Sequence, residues 1–201
     1  DMSKVRIIMS GAGAAGTAIA RLLVLSGATN IIAFDKDGVI SKDSPSEDPM
    51  RDWFIEHSNK DNFKGNVHEA LSGADIFIGV SAPNVLKEAD IASMAAGSIV
   101  FALANPDPEI DPVIARKYAA VVATGRSDHP NQINNVLAFP GIFRGLLDAN
   151  AHKITDKLLV AAAVAIADCV SPSQLNTSFI VPSVFDPNVV TQVAAAVKKS
   201  V

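Results

Sequence analysis

The sequence predicts an α/β fold in which a mostly parallel sheet is covered by helices on both faces. Three observations predict it. Short apolar runs alternate with helix-spaced segments, the runs are nearly uninterrupted in aliphatic residues, and the first run ends on a glycine-rich turn that opens a helix. Val5 to Met9, broken only by Arg6, reads as a central strand buried on both faces. Ala15, Ile19, Leu22 and Leu23 then recur at helical spacing, and Gly27 is placed to end that helix. Asn30 to Phe34 reads as the second strand. Residues 36–66 are polar and turn-rich; Trp53–Ile55 is where a short helix could begin, and no third strand is assigned there. Strands follow at Ile76–Val80, Ser98–Ala102 and Ala120–Thr124, joined by helical stretches at 85–95 and 111–117. Beyond residue 125 the strands stop, and helical segments are predicted near 141–150, 155–169 and 187–200. With no repeat and no linker, the expectation is one domain over 1–201, a core at about 4–135 with a helical C-terminal extension over about 136–201.

Composition narrows the function. Hydrophobic residues make up 49% and charged residues 19%, enough for a core and unlike a disordered chain. The net charge of -4, with no Lys/Arg stripe, excludes a nucleic-acid binder. An anionic ligand would therefore be held locally, by backbone N–H groups. The single cysteine, Cys169, permits no internal disulfide and no paired-cysteine zinc site; in its apolar surroundings it reads as a small buried hydrophobe. The apolar stretch Leu158–Ala167 is too short to span a bilayer and suits a buried helix, so no membrane partner is expected. No signal-like segment precedes the strand at Val5, and a cytoplasmic, reducing setting is expected. That early strand also suits a domain taken from a longer protein.

The chemistry-bearing motif is Gly11-Ala12-Gly13-Ala14-Ala15-Gly16. It follows a buried strand and opens an apolar helix, the setting in which such a glycine pattern marks a Rossmann-type dinucleotide-binding fold. Gly11 allows the tight turn, Gly13 lets a pyrophosphate approach the backbone, and Gly16 lets the helix pack on the sheet. The free N–H groups at the helix start then face the phosphates. Asp35 ends the second strand 19 residues after Gly16, where a carboxylate can accept hydrogen bonds from ribose hydroxyls. Its charge opposes a 2′-phosphate, favouring NAD over NADP, although Lys36 and Lys42 lie near enough to weaken that preference. Ligands of such sheets bind beyond the carboxyl ends of the strands. Those ends supply Gly11–Gly16, then Val80, Ser81 and Ala82 with Pro83-Asn84, then Asn105-Pro106, then Gly125-Arg126-Ser127-Asp128.

Five stretches, GAGAAG, ADIFIGVSAP, IVFALANPDPEI, ATGRSDHPNQINNVLAFPGIFRG and IVPSVFDPNV, resemble the C-terminal domain of bacterial malic enzymes across residues 4–198. The resemblance implies a domain of an enzyme that oxidises L-malate with NAD(P) and decarboxylates the product to pyruvate. It implies Mg or Mn in the complete enzyme, and a homo-oligomer. It places Asn105, Asn134 and Asn135 at the nicotinamide and malate end of the cleft, where neutral amides orient a carboxylate or carboxamide without adding a titratable group. Turn and cap duty is the other reading of Asn134-Asn135. Arg126 serves either anion binding or an ion pair. His129 departs from the family, which often carries Tyr there, and the other histidines, at 57, 68 and 152, fit no ligand spacing. The family's proton-transferring Tyr and Lys and its acidic metal ligands belong to the segment ahead of this domain, so neither catalytic nor metal-binding residues are expected in these 201. Tyr118 matches no catalytic motif, and Asp107, Glu109 and Asp111 read as a turn and helix start. The alternatives are a stand-alone NAD-sensing or assembly module, or another Rossmann enzyme, which NNVLAFPG counts against.

Overall fold

Burial on both faces is what makes the first strand so uniformly apolar. In a computed structural model describing residues 1–46 and 48–201, Arg6–Ser10 (β1) lies near the middle of a six-stranded sheet, and Ile7, Ile8 and Met9 are wholly buried. Residue 47, within the stretch predicted to be irregular, lies outside the described residues. The other strands are Asn30–Asp35 (β2), Gly38–Val39 (β3), Ile76–Gly79 (β4), Ile99–Ala102 (β5) and Val121–Thr124 (β6). Their spatial order is β3-β2-β1-β4-β5-β6, with all neighbours parallel except the antiparallel β2–β3 pair. Successive strand residues point to opposite faces. Ile8, Ile32, Phe34, Phe77 and Val100 join one hydrophobic cluster, and Ile7, Met9, Ile31, Ala33 and Ile78 join another. The fold is the doubly wound one predicted, and the chain reverses its direction of winding between β1 and β4, the switch point at whose carboxyl edge sheets of this kind form a ligand crevice.

The connecting helices are Ala14–Leu25 (α1), Pro49–His57 (α2), Val67–Leu71 (α3), Glu88–Ala92 (α4) and Pro112–Ala115 (α5). Their starts follow local chemistry. Asp48 accepts from Met50 N ahead of Pro49, Asn66 and Glu69 form a reciprocal capping box, and Asp111 accepts from Val113 N at 2.7 Å. The helices predicted at 85–95 and 111–117 are shorter than expected, because the flanking residues enter turns rather than extend the helix. The region left without a strand contains the two-residue β3, too short to show an alternation. Its organiser is Asn59, buried and at φ 47°. The Asn59 side chain donates to the Ile40 and Phe63 carbonyls and accepts from Phe63 N, while its own N–H donates to the Ile31 carbonyl.

The chain forms two compact units, Asp1–His129 and Pro130–Val201. The second has a hydrophobic core of its own. It holds a 3-10 turn at Asn135–Leu137 and the helices Phe139–Asp148 (α6), Asp156–Asp168 (α7) and Pro187–Ser200 (α8). Leu137, Ile142, Leu146, Leu158, Val193 and Val197 are among its buried residues. The stretch Leu158–Ala167 is not buried all round: Leu158, Ala162 and Ala165 face the core at spacings of four and three, and Val164 is 54% exposed. No helix among the described residues is long and apolar enough to cross a membrane. Cys169 ends α7 half-buried, its thiol donating to the Ala165 carbonyl at 3.2 Å, and burial pushes its pKa up.

Gly141 and Gly145 let α6 and α8 meet closely. A Cβ on Gly145 would lie 2.6 Å from both the Ala194 carbonyl oxygen and Val197 Cβ, and one on Gly141 would lie 2.5 Å from Val193 Cβ. Backbone cannot yield as a side-chain tip can. Gly145→Ala is therefore expected to destabilise the second unit by about 1–3 kcal/mol through overpacking. Urea denaturation followed by circular dichroism checks this, and an unchanged or raised midpoint would contradict it.

Candidate functional site

The three glycines of the first turn are glycine for two different reasons. Gly11, at φ 106°, donates its N–H to the Phe34 carbonyl at 2.8 Å, and a Cβ there would lie 2.5 Å from the Val80 carbonyl oxygen. A Cβ on Gly16 would overlap the Gly11 carbonyl oxygen, so α1 approaches the turn only because residue 16 has no side chain. Gly13 is different. It is exposed, caps α1, and a Cβ there would meet nothing within 4 Å. Ala14 and Ala15 continue an open first turn with no acidic side chain and no side-chain cap. The positive end of a twelve-residue helix thus faces a clear space at the carboxyl edge of β1. Ala12 is buried beneath the turn.

Beyond β4, Val80 is half-buried, and Ser81, Ala82, Pro83 and Asn84 are exposed. Ser81 Oγ lies 2.8 Å from Ser10 Oγ, joining the ends of β4 and β1. Asn105 is exposed beyond β5, next to a cis peptide to Pro106. Under these loops, the acidic cluster at 107–111 departs in one residue from a turn and helix start. Asp111 does start a helix, as the reading of the 107–111 cluster requires, but Glu109 is wholly buried. Its Oε1 accepts from Ser81 N at 2.9 Å and Ser81 Oγ at 3.3 Å, and its Oε2 accepts from Ala104 N at 3.0 Å. Gly79 makes room for it, since a Cβ there would overlap the Glu109 carboxyl group. No local pattern marks this carboxylate, whose partners lie 5 and 28 residues away. Among the described residues, no group of three His, Cys, Asp or Glu is arranged to hold a metal ion.

Asp35 closes the other end of the crevice. Its Oδ1 accepts from Asp37 N at 2.8 Å, and its Oδ2 pairs with Arg51 at 2.8 Å. Arg51 also pairs with Asp37 at 3.0 Å. The cation on Asp35 is thus an arginine of α2, whereas Lys36 and Lys42, the two weighed from sequence, are exposed. Sixteen positions separate Asp35 from Arg51, so only the packing of α2 could reveal the pair. Beside it is a cavity of about 470 Å³ lined by Ser41, Ser44, Arg51 and Lys64 among others; Lys64 pairs with Asp43 at 2.7 Å.

Arg126 resolves toward the ion pair. Its Nε and a terminal nitrogen grip Asp128 at 2.9 and 2.6 Å, and Asp107 lies 3.9 Å away. The guanidinium beside Asp128 holds that carboxyl down at about 2. His129 Nδ1 lies 3.2 Å from Arg116, and Tyr118 donates to Glu88 at 2.9 Å. Asn134 and Asn135 belong to the second unit. Asn134 Oδ1 accepts from Val136 N at 3.0 Å, the capping role weighed for it, and Asn135 is exposed at the first position of the turn.

The family model for the malic enzyme NAD binding domain matches residues 1–201. The chain is 49% identical over 196 residues to an NAD-dependent malic enzyme of Geobacillus stearothermophilus, covering 98% of this chain and 41% of that one. It is 38% identical to an NADP-dependent malic enzyme of Escherichia coli, covering all of this chain and 28% of the other. The crystal structure of an NAD-dependent malic enzyme from Thermotoga maritima superposes with a TM-score of 0.93 at 41% identity, over 100% of this chain and 53% of that one. The chain thus spans about half, or less, of the proteins it matches. Fold, glycine turn and full-length match agree: the chain belongs to the malic enzyme family, as its NAD-binding domain.

Proposed function

We propose that the Gly11–Gly16 turn, Asp35 and the loops bearing Val80, Ser81, Ala82 and Asn105 hold NAD, pyrophosphate at the start of α1 and adenosine ribose at Asp35. The observation that carries this reading is the clear space over Gly13 at an uncapped helix start, where a phosphate gains backbone N–H donors and the helix dipole together. The match to both NAD- and NADP-dependent relatives leaves the cofactor to local charge. Asp35 and Asp37 set two negative charges against the one positive charge of Arg51, a balance that disfavours a 2′-phosphate.

In the complete enzyme, the bound nicotinamide supplies a hydride acceptor for oxidation of L-malate, with decarboxylation to pyruvate. Asn105, Asn134 and Asn135 orient substrate groups, amides being able to donate and accept without titrating. A Mg or Mn ion and the acid–base pair would be supplied by the part of the relatives that this chain does not span, as the resemblance to the malic enzyme family implies. One free, half-buried cysteine is compatible with a reducing cytoplasm.

Gly13→Val is expected to abolish NAD binding in calorimetry while leaving the circular dichroism spectrum unchanged, because its side chain fills ligand space and touches no protein atom at Cβ. Unaltered affinity would refute the assignment. Asp35→Ser is expected to raise NADP affinity relative to NAD, since it removes a negative charge and leaves Arg51 paired with Asp37 alone. Wild-type protein that already prefers NADP would show Arg51 outweighing the carboxylates. The 201-residue chain with saturating NAD, malate and Mg²⁺ is expected to form no NADH, and steady NADH formation lost in Gly13→Val would place catalysis within it.

A further inference from the structure

A buried carboxylate must be matched by donors, because leaving one unpaired costs several kcal/mol. Glu109 is matched entirely by the two loops that border the crevice on the β4 and β5 side. One oxygen takes the Ser81 N–H and hydroxyl; the other takes the Ala104 N–H, one residue before Asn105. The backbone repeats the tie, with Asn84 N donating to the Pro108 carbonyl at 3.1 Å and Leu86 N to the Glu109 carbonyl at 3.0 Å. Ser81 Oγ then reaches Ser10 Oγ at the end of β1. The two loops are otherwise short, exposed and without regular structure at Ser81–Asn84 and Asn105–Asp107. The side chain that bonds to both is this carboxylate, seated where Gly79 lacks a side chain.

We propose that Glu109 is a positioning residue for the nicotinamide end of the cofactor, joining the loops after β4 and β5 into one floor and fixing the place of Asn105 through Ala104. The inference rests on the cofactor placement proposed above. Its direct contacts are with the loops after β4 and β5: among the described residues, neither the glycine turn nor Asp35 hydrogen-bonds Glu109 itself. Glu109→Gln is the informative change. It keeps size and shape, but one of its two positions becomes an N–H₂ group facing a backbone N–H, so a loop must let go.

The test compares two ligands on wild-type protein and Glu109→Gln by calorimetry: NAD, and ADP-ribose, which has every part of NAD except the ring. NAD affinity is expected to fall about tenfold, the size of one lost charge-assisted hydrogen bond, while ADP-ribose affinity stays within about twofold. Glu109→Asp keeps the charge but is one methylene too short to reach both loops, and is expected to show the same split more weakly. Equal losses for both ligands, or no loss for either, would overturn the positioning role while leaving the cofactor placement intact. Failure of both variants to fold would also overturn it, showing the carboxylate to be needed for the fold and not for the ring. Wild-type protein that binds neither ligand would instead overturn the cofactor placement itself.

Discussion

The architecture of the first unit depends on one close approach, that of residue 16 at the start of α1 to the carbonyl oxygen of Gly11. A methyl group on Gly16 would occupy the space of that oxygen, so the helix could not descend onto the sheet, and the turn above it could not close. Gly11 must at the same time take φ 106° under the Val80 carbonyl. These two constraints bring the end of β1, the start of α1 and the end of β4 to one point. The crevice forms there because winding reverses between β1 and β4. Gly13 is subject to neither constraint, which separates the part of the motif that builds the fold from the part that leaves room for a ligand.

Away from that point, the loops are shaped by single buried polar side chains rather than by secondary structure. Asn59 gathers the segment after α2 by bonding three backbone groups, and Glu109 ties the loops beyond β4 and β5. Asn131 does the same in the second unit, donating to the Thr177 carbonyl and accepting from Ile180 N. Each works because a buried polar group tolerates only a geometry that satisfies it, which turns a flexible connection into a specified one. The loops can therefore be short on regular hydrogen bonding and still hold defined positions.

Charge at the end of β2 is set by a local triad. Arg51 stands between Asp35 and Asp37, so the acceptor at the end of β2 is neither bare nor fully neutralised. At the opposite end, Arg126 is committed to Asp128 and leaves the exposed edge without a spare cation from that residue. The start of α1, with no acidic side chain and no side-chain cap in its first turn, is where backbone N–H groups and the positive end of a helix stand together.

Sequence alone determined the character of the sheet and the form of the first turn. Continuous apolar runs mean burial on both faces, and burial on both faces means a parallel sheet between helices. The glycine spacing, the carboxylate at Asp35 and the helix start at Asp111 are local features, whose physics acts within a few residues. Tertiary structure decided what depends on distant partners. It joined Arg51 to Asp35, buried Glu109 under Ser81 and Ala104, and paired Gly145 with α8. It also made residues 130–201 a unit with its own core. None of these follows from periodicity or composition, because an ion pair, a buried carboxylate and a helix contact are each specified by two positions that only folding brings together.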